Sequence, residues 1–220
     1  MMTAEVKIPA GEATLDGNLS VPDGATMLVL FAHGSGSSRH SPRNQFVART
    51  LNDSGLATLL FDLLTREEEA TDIYTRQYRF DIGLLAERLV YATKWSKTQP
   101  ATGELRIGYF GSSTGGGGAL VAAAELPDDV DAVVSRGGRP DLAGVALPKV
   151  RAATLLIVGG NDKVVIELNE QARAQMSCEV KIEIVPGATH LFEEPGALER
   201  VAQLAADWFT HHTLESLHPS

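Results

Sequence analysis

From Met27 onward, short apolar runs alternate with segments whose apolar residues recur at helical spacing. This alternation is typical of a parallel sheet whose helical crossovers cover both faces. Two weaker runs, 5–8 and 13–21, come first and predict an antiparallel pair at one edge. The predicted buried strands are 27–32, 56–63, 105–110, 130–135, 154–158 and 180–185, and the clearest helices are 42–53, 80–95, 166–176 and 196–209.

The length of 220 residues suits one large α/β domain, which we place at 1–213, with 214–220 as a disordered tail. We expect a mostly parallel, doubly wound sheet of about seven or eight strands. The net charge of −9 disfavours nucleic-acid binding because phosphates would be repelled. Cys178 is the one cysteine, so no intrachain disulfide can form, and no apolar run is long enough for a signal peptide or a membrane span. We therefore expect a cytoplasmic protein that does not enter the membrane.

The run 105–120 joins a strand pattern to a helix pattern through the pentapeptide Gly111-Ser112-Ser113-Thr114-Gly115. A serine with glycine at −2 and +2 is typical of a sharp strand-to-helix turn that exposes its hydroxyl group. A Cβ at either glycine would collide with the neighbouring strand or with the helix that folds back. A flexible loop has the same composition, so Ser113 is a candidate nucleophile whose role depends on the rest of the chain.

A serine nucleophile needs a general base, and the base needs a group that holds it in the right tautomer. Histidine is the usual base, and His190 directly follows the last predicted strand. Asp162 follows the preceding strand and is the preferred orienting acid, with Asp141 as the alternative. Because the carboxyl ends of parallel strands share one edge of a sheet, these side chains are expected at the edge that carries Ser113.

Four motifs occur along residues 27–210 in the order found in α/β-hydrolases: HGSG at 33–36, GSSTG at 111–115, GGND at 159–162 and PGATH at 186–190. The chain resembles this superfamily, and within it the small group related to dienelactone hydrolase. The resemblance implies the α/β-hydrolase fold, with Ser113 as nucleophile, His190 as base and Asp162 as the acid. Dienelactone hydrolases proper use a cysteine nucleophile, whereas Cys178 lies far from position 113 in this sequence.

The resemblance also implies an oxyanion hole built from backbone N–H groups. One donor would be the amide of Thr114, which directly follows the nucleophile, at the start of a helix. The second would come from the loop after the first buried strand, where Ser35 is the first choice and Gly36 the next. Each such donor typically contributes about 3 kcal/mol to the transition state.

Larger α/β-hydrolases carry a cap domain after the strand that corresponds to 130–135, but only residues 137–153 separate two strands here. We therefore expect no cap domain and an open site, partly covered by 65–78, that suits a small or polar ester. Several cations occur in the edge loops of this acidic protein and could bind an anionic substrate, although ordinary arginine packing and salt bridges are the favoured explanation. The candidates for substrate binding are Arg39, Arg136 and Arg139; His40 and Arg43 lie in the same loops.

The favoured function is hydrolysis of a small carboxylic ester or thioester through an acyl-enzyme on Ser113, with no metal and no cofactor. One alternative is a hydrolase of a dienelactone or another small lactone, and another is a non-catalytic interaction module with the same fold. A nucleotide-binding module is disfavoured, because the sequence contains neither GxxxxGK[ST] nor a GxGxxG that follows a strand. The substrate and the oligomeric state stay open at this point.

Overall fold

A computed structural model describes residues 1–215 of the chain and the side chains through Thr213. In the described part of the chain, eight strands form one sheet: β1 (Met2–Ala10), β2 (Ala13–Val21), β3 (Met27–Ala32), β4 (Ala57–Phe61), β5 (Arg106–Ser112), β6 (Val130–Arg136), β7 (Ala153–Gly159) and β8 (Val180–Val185). Their order across the sheet is β1-β2-β4-β3-β5-β6-β7-β8. The strands β1, β2 and β4 pair antiparallel, and every other neighbouring pair is parallel. The predicted α/β-hydrolase sheet with an antiparallel N-terminal edge is confirmed.

Helices and one 3₁₀ segment cover both faces of the sheet. They are α1 (Pro42–Asp53), α2 (Arg66–Thr75), α3 (Ile82–Ser96), α4 (Thr114–Glu125), the 3₁₀ segment Pro140–Lys149, α5 (Lys163–Arg173) and α6 (Ala197–Glu215). One apolar cluster packs α3, α4 and the 3₁₀ segment on one face. A second packs α1 and α6 on the other. The central strands β3 and β4 are buried throughout, as continuous apolar runs predict.

The connection from β6 to β7 determines how open the carboxyl edge is. It holds only the 3₁₀ segment, which bends at Gly144 and packs against α4 and α5. The prediction that no cap domain is inserted here is confirmed. The stretch 65–78, predicted as a partial cover, contains α2, a helix that begins with a capping box between Thr65 and Glu68.

The C-terminal helix is longer than its sequence pattern predicted. Its backbone continues to Glu215, two residues into the segment 214–220 that we expected to be a tail, and the rest of that segment lies outside the described residues. Within residues 1–215, no helix combines the length and the apolar character that crossing a membrane requires.

Candidate active site

Ser113 occupies the turn between β5 and α4 in a backbone conformation that side chains rarely adopt. Its φ is 52° and its ψ is −122°. Such a conformation costs about 1–3 kcal/mol and persists only where the surroundings enforce it. Here the carbonyl of Ser113 accepts hydrogen bonds from the N–H groups of Gly116 and Arg139, each at 3.0 Å. The turn is therefore held from α4 on one side and from the loop after β6 on the other.

The two glycines of the pentapeptide are required by close backbone approach. A Cβ at Gly111 would lie 2.6 Å from the carbonyl oxygen of Gly115, and a Cβ at Gly115 would lie 2.1 Å from the carbonyl oxygen of Ala32. Both distances are well inside van der Waals contact with backbone atoms that cannot move aside. The pattern GxSxG at this turn is thus a packing requirement, and a flexible loop is excluded.

His190 and Asp162 are hydrogen-bonded at the carboxyl edge of the sheet. The Nδ1 atom of His190 lies 2.7 Å from Oδ2 of Asp162. Asp162 is the N-cap residue of α5, yet its side chain makes no capping bond to the helix. An N-cap aspartate usually accepts a hydrogen bond from the second or third helical N–H. Its carboxylate is directed to the histidine instead, which fixes the orientation of the imidazole ring.

Backbone hydrogen bonds tie together the loops that carry this pair. Gly160 N–H donates to the carbonyl of Val185 at 2.8 Å, and Asn161 N–H donates to that of Ala188 at 3.0 Å. The side chain of Asn161 donates to the carbonyl of Gly187, also at 3.0 Å. The loop after β7 is consequently fastened to the loop after β8, just before the positions of Asp162 and His190.

Ser113 and His190 line one cavity of about 240 Å³. The other lining residues belong to the β3 loop, to the start of α1, to the ends of β5 and β6 and to the loop after β8: Gly34, Ser35, Ser37, Ser41, Arg43, Asn44, Ser112, Arg136 and Leu191. The hydroxyl of Ser113 has no hydrogen bond to His190 among the described side chains. Such bonds are often long in unliganded enzymes and tighten when substrate binds.

The backbone N–H groups of Ser35, Gly36 and Thr114, near Ser113, have no hydrogen-bond acceptor within residues 1–215. Thr114 is the first residue of α4, so the positive end of the helix dipole adds to its N–H. The peptide between Gly34 and Ser35 is fixed, because the carbonyl of Gly34 lies 2.9 Å from Nδ1 of His33. These are the residues that the sequence predicted as oxyanion donors, and their open N–H groups could bind a developing negative charge.

The ring of His33 is buried behind this loop and bridges two backbone groups. Its Nε2 accepts the N–H of Leu63 at 3.0 Å, so its Nδ1 carries the proton and donates to Gly34. Burial lowers the pKa of His33 and keeps the ring neutral. The two hydrogen bonds of His33 therefore hold the loop that carries Ser35 against the segment at Leu63.

Arg136 ends β6 and is buried at the wall of the cavity, with 7% of its surface exposed. Its Nη2 lies 3.5 Å from Oδ1 of Asn44, and its guanidinium carbon lies 5.9 Å from the ring centre of Phe192. Its Nε has no hydrogen-bond partner, and no carboxylate of the described residues pairs with it. Burial, reinforced by the charge of Arg43, lowers the pKa of Arg136 to about 10. Arg136 is thus a buried cation without a counter-ion in the cavity that contains Ser113 and His190. An anion bound in this cavity would neutralise its charge.

The other two arginines predicted to bind substrate do not line this cavity. Arg39 pairs with Asp62 through both its backbone N–H and its side chain. Arg139 forms two hydrogen bonds to Asp141, at 2.8 and 2.7 Å, which raise its pKa. For these two positions the salt-bridge interpretation fits the structure. The bond to Arg139 also engages the carboxylate of Asp141, the alternative to Asp162 as the orienting acid.

Sequence reasoning missed the contribution of α1. Ser41 caps this helix by accepting the N–H of Asn44, and the side chain of Asn44 is buried between Ser112 and Arg136. Arg43 extends from the same turn and pairs with Glu193 at 3.4 Å. The Ser-Pro start of the helix signalled its N-terminus, but not that this end would face the cavity. Among the described residues, no group of three His, Cys, Asp or Glu side chains could hold a metal ion.

Residues 15–215 match the dienelactone hydrolase family. The crystal structure of dienelactone hydrolase from Anabaena variabilis is 62% identical in sequence to this chain and superimposes on it with a TM-score of 0.94. The match covers 96% of this chain and 97% of that one. Est1E from Butyrivibrio proteoclasticus superimposes with a TM-score of 0.79 over 94% of this chain and 98% of that one, at 16% identity, which bears on the fold alone.

A longer relative comes from Mycobacterium tuberculosis strain H37Rv and is named "Putative phosphoribosyl transferase". It is 59% identical over 208 residues, which are 94% of this chain and 46% of that protein. The chain thus spans about half the length of the curated relatives it matches.

Proposed function

The chain belongs to the dienelactone hydrolase family, and from that membership we propose that it is a serine hydrolase that cleaves a small carboxylic ester or thioester. One observation carries the proposal. Ser113 stands on a strained turn, in the same cavity as a histidine whose Nδ1 is hydrogen-bonded to Asp162. This is the combination of nucleophile, base and orienting acid that acyl transfer needs.

The proposed reaction has two halves. The Oγ of Ser113 attacks the carbonyl carbon while Nε2 of His190 takes the hydroxyl proton, and the N–H groups of Thr114 and Ser35 bind the oxyanion. Gly36 N–H is the alternative second donor. The tetrahedral intermediate collapses, His190 passes its proton to the leaving alcohol or thiol, and an acyl-enzyme remains. Water then attacks the acyl group with His190 again as base, which releases the acid and restores Ser113.

The nucleophile in this proposal is oxygen. Cys178 does not line the cavity and is half-buried elsewhere, and burial raises the pKa of its thiol. A thiolate mechanism at the turn would need a cysteine at position 113. Hydrolysis of a dienelactone or of another small lactone by Ser113 stays a second candidate, because a lactone is an internal ester and opens by the same steps.

We further propose that the preferred substrate carries an anionic group. The support is the uncompensated Arg136, with Arg43 and the N-terminal end of α1 on the same wall. The cavity of about 240 Å³ favours a small molecule. The transferase named for the longer relative is not proposed for this chain, because the chain corresponds to less than half of that protein.

Labelling with a fluorophosphonate tests the nucleophile. We expect a single covalent adduct that maps to Ser113 and that is lost in Ser113→Ala and strongly slowed in His190→Ala. Ser177→Ala, at an exposed serine outside the cavity, is the matched control and should label like the parent. A folded parent that takes up no adduct would refute the serine hydrolase and favour a non-catalytic interaction module. A panel of aryl esters, acyl thioesters and lactones then identifies the substrate class.

A further inference from the structure

The hydroxyl groups of the two residues proposed as oxyanion donors are hydrogen-bonded to each other. Ser35 Oγ lies 3.0 Å from Thr114 Oγ1 and 3.0 Å from the carbonyl oxygen of Arg79. A serine hydroxyl has one proton, and a carbonyl can only accept. Ser35 therefore donates to Arg79, and Thr114 donates to Ser35. This directed chain links the β3 loop, the start of α4 and the segment before α3.

Asp72 holds Arg79 in place from α2. The Oδ1 atom of Asp72 accepts the N–H groups of Tyr78 and Arg79 at 2.8 and 3.1 Å, and its Oδ2 accepts Nε of Arg79 at 2.6 Å. The Nη2 of Arg79 also donates to the backbone carbonyl of Asp72. The side chain of Asp72 is buried, and although burial opposes its ionisation, these hydrogen bonds lower its pKa. A charged carboxylate thus fixes the carbonyl that Ser35 needs.

The helix that carries Asp72 is itself fastened to the body of the protein. Glu68 forms two hydrogen bonds, at 2.7 and 3.1 Å, to the guanidinium of Arg88, which is buried on α3. Arg88 also donates to the carbonyl of Leu63, two residues after the end of β4. These contacts make α2 a fixed support for the β3 loop.

Packing does not hold the loop on this side. A cavity of about 330 Å³ lies between the loop and α2, lined among others by Ser35, Gly36, Asp72 and Arg79. A loop that backs onto a cavity lacks the contacts that fix a side chain in a close-packed interior. On that face the directed hydrogen bonds of Ser35 position the loop, in addition to the contact of His33 with Gly34 behind it.

We propose that Asp72 is a positioning residue for the oxyanion hole, which acts through Arg79 and Ser35 to set the spacing between the N–H groups of Ser35 and Thr114. This inference rests on the proposed function for its catalytic consequence. Asp72 touches neither substrate nor reacting atoms. Its loss frees the Ser35 donor to move relative to Thr114, which weakens binding of the transition state and leaves ground-state binding on the Arg136 wall intact.

Three substitutions test the chain of contacts. Asp72→Asn replaces one acceptor oxygen with an N–H₂ group, Ser35→Ala removes the shared hydroxyl but keeps the backbone N–H, and Thr114→Val removes the donor to Ser35. Each should lower kcat by about 10- to 100-fold with KM within about threefold, less than the loss of a whole oxyanion donor. Thr114→Ser keeps the hydroxyl group that donates to Ser35, so its kcat should fall less than that of Thr114→Val. Asp131→Asn breaks a similar Asp–Arg pair, with Arg106, away from the cavity and should leave kcat unchanged.

Two further readouts separate positioning from general loss of structure. The Asp72→Asn and Ser35→Ala effects on kcat should be non-additive, because both variants cut the same chain. Amide hydrogen exchange in residues 33–38 should accelerate in Asp72→Asn and stay at the parent rate in Asp131→Asn. Additive losses, a rise in KM instead of a fall in kcat, or unchanged exchange in 33–38 would each overturn the proposal. If the parent fails to react with fluorophosphonate, the proposed function fails, and the exchange experiment still decides whether Asp72 positions the loop.

Discussion

Nδ1 of His190 is 2.7 Å from Oδ2 of Asp162, although two glutamates stand within four residues of the histidine in the chain. Those glutamates are engaged elsewhere: Glu193 pairs with Arg43, and Glu194 accepts hydrogen bonds from Thr189. The acid that contacts the ring is thus the one in the loop that follows the neighbouring strand β7. Sheet topology decides the pairing, and sequence proximity does not.

Asp162→Asn should lower kcat/KM for an aryl ester by about 10³- to 10⁴-fold, because an amide can hold the wrong tautomer of His190. Steady-state kinetics measure kcat/KM, and a thermal melt verifies that the variant is folded. Asp141→Asn is the matched control, since Asp141 is paired with Arg139, and its activity should stay within about twofold of the parent. A large loss in Asp141→Asn with activity kept in Asp162→Asn would reverse the assignment of the acid.

Replacing Arg136 should change which esters are hydrolysed. In Arg136→Met, kcat/KM for an aryl ester with a terminal carboxylate should fall by about 10- to 100-fold, because a charge-assisted hydrogen bond contributes about 1.5–3 kcal/mol. A neutral ester of equal length should be hydrolysed within about threefold of the parent rate. Arg139→Met removes an arginine that is already paired and should leave this ratio unchanged. Equal losses of kcat/KM for the two esters in Arg136→Met would mean that Arg136 does not recognise the negative charge of the substrate.

The same variant should be more stable than the parent. Because burial lowers the pKa of Arg136, the folded state disfavours its charge, and an apolar side chain of similar length removes that cost. We expect the free energy of unfolding in urea at neutral pH to rise by about 1–3 kcal/mol. Arg139, whose pKa is raised by its bond to Asp141, should show no gain on replacement. A destabilised Arg136→Met would show that Asn44 and Phe192 already compensate the charge.

Alanine substitutions at Gly115 and Gly118 of α4 should affect stability very differently, because a Cβ at Gly115 collides with backbone atoms and a Cβ at Gly118 does not. Gly115→Ala places a methyl group 2.1 Å from the carbonyl oxygen of Ala32 and should cost more than about 3 kcal/mol or prevent folding. In Gly118→Ala the nearest atom is the Cβ of Leu85 at 3.1 Å, and a gain in helix propensity of about 1 kcal/mol offsets that contact. Its Tm should lie close to the parent value. Similar Tm values for the two variants would contradict the packing argument.

Stability should depend on pH through His33. Its pKa is lowered in the folded state, so below about pH 6.5 the unfolded chain takes up a proton that the folded chain refuses. The free energy of unfolding therefore falls with decreasing pH, by up to about 1.4 kcal/mol per pH unit from this residue. His33→Gln should lack that component, and the difference between the two urea-unfolding profiles from pH 7 to 5 measures it. Parallel profiles would rule out a neutral, buried His33.

The sequence predicted β3, α1 and β8 with the bounds that the structure has, because their signals are local. An apolar run of six residues, a Ser-Pro start and a Gly at the helix end each encode a boundary without tertiary information. The helix α2 was missed because no apolar stripe marks it. It is held by the polar contacts of Glu68 and Asp72, whose partners lie on other elements; the capping box at Thr65 was the available signal.

The site divides in the same way. Ser113, Asp162 and His190 could be predicted in advance, since each follows a recognisable strand and these three strands run parallel, so that their carboxyl ends meet at one edge. The arginines could not be sorted, because the sequence does not show which guanidinium meets a carboxylate. Arg39 and Arg139 do, through Asp62 and Asp141, whereas Arg136 faces the cavity without one.

The positive φ of Ser113 belongs to the turn and not to the serine. Gly111 and Gly115 allow the close backbone approach that shapes the turn. At position 113 any residue other than glycine adopts the same unfavourable backbone conformation at nearly the same cost. Exchange of oxygen for sulfur there adds no backbone cost. In this chain, a change from serine to cysteine at position 113 is one that folding does not oppose. The backbone of this turn therefore does not discriminate between the two nucleophiles, and their chemical reactivity has to.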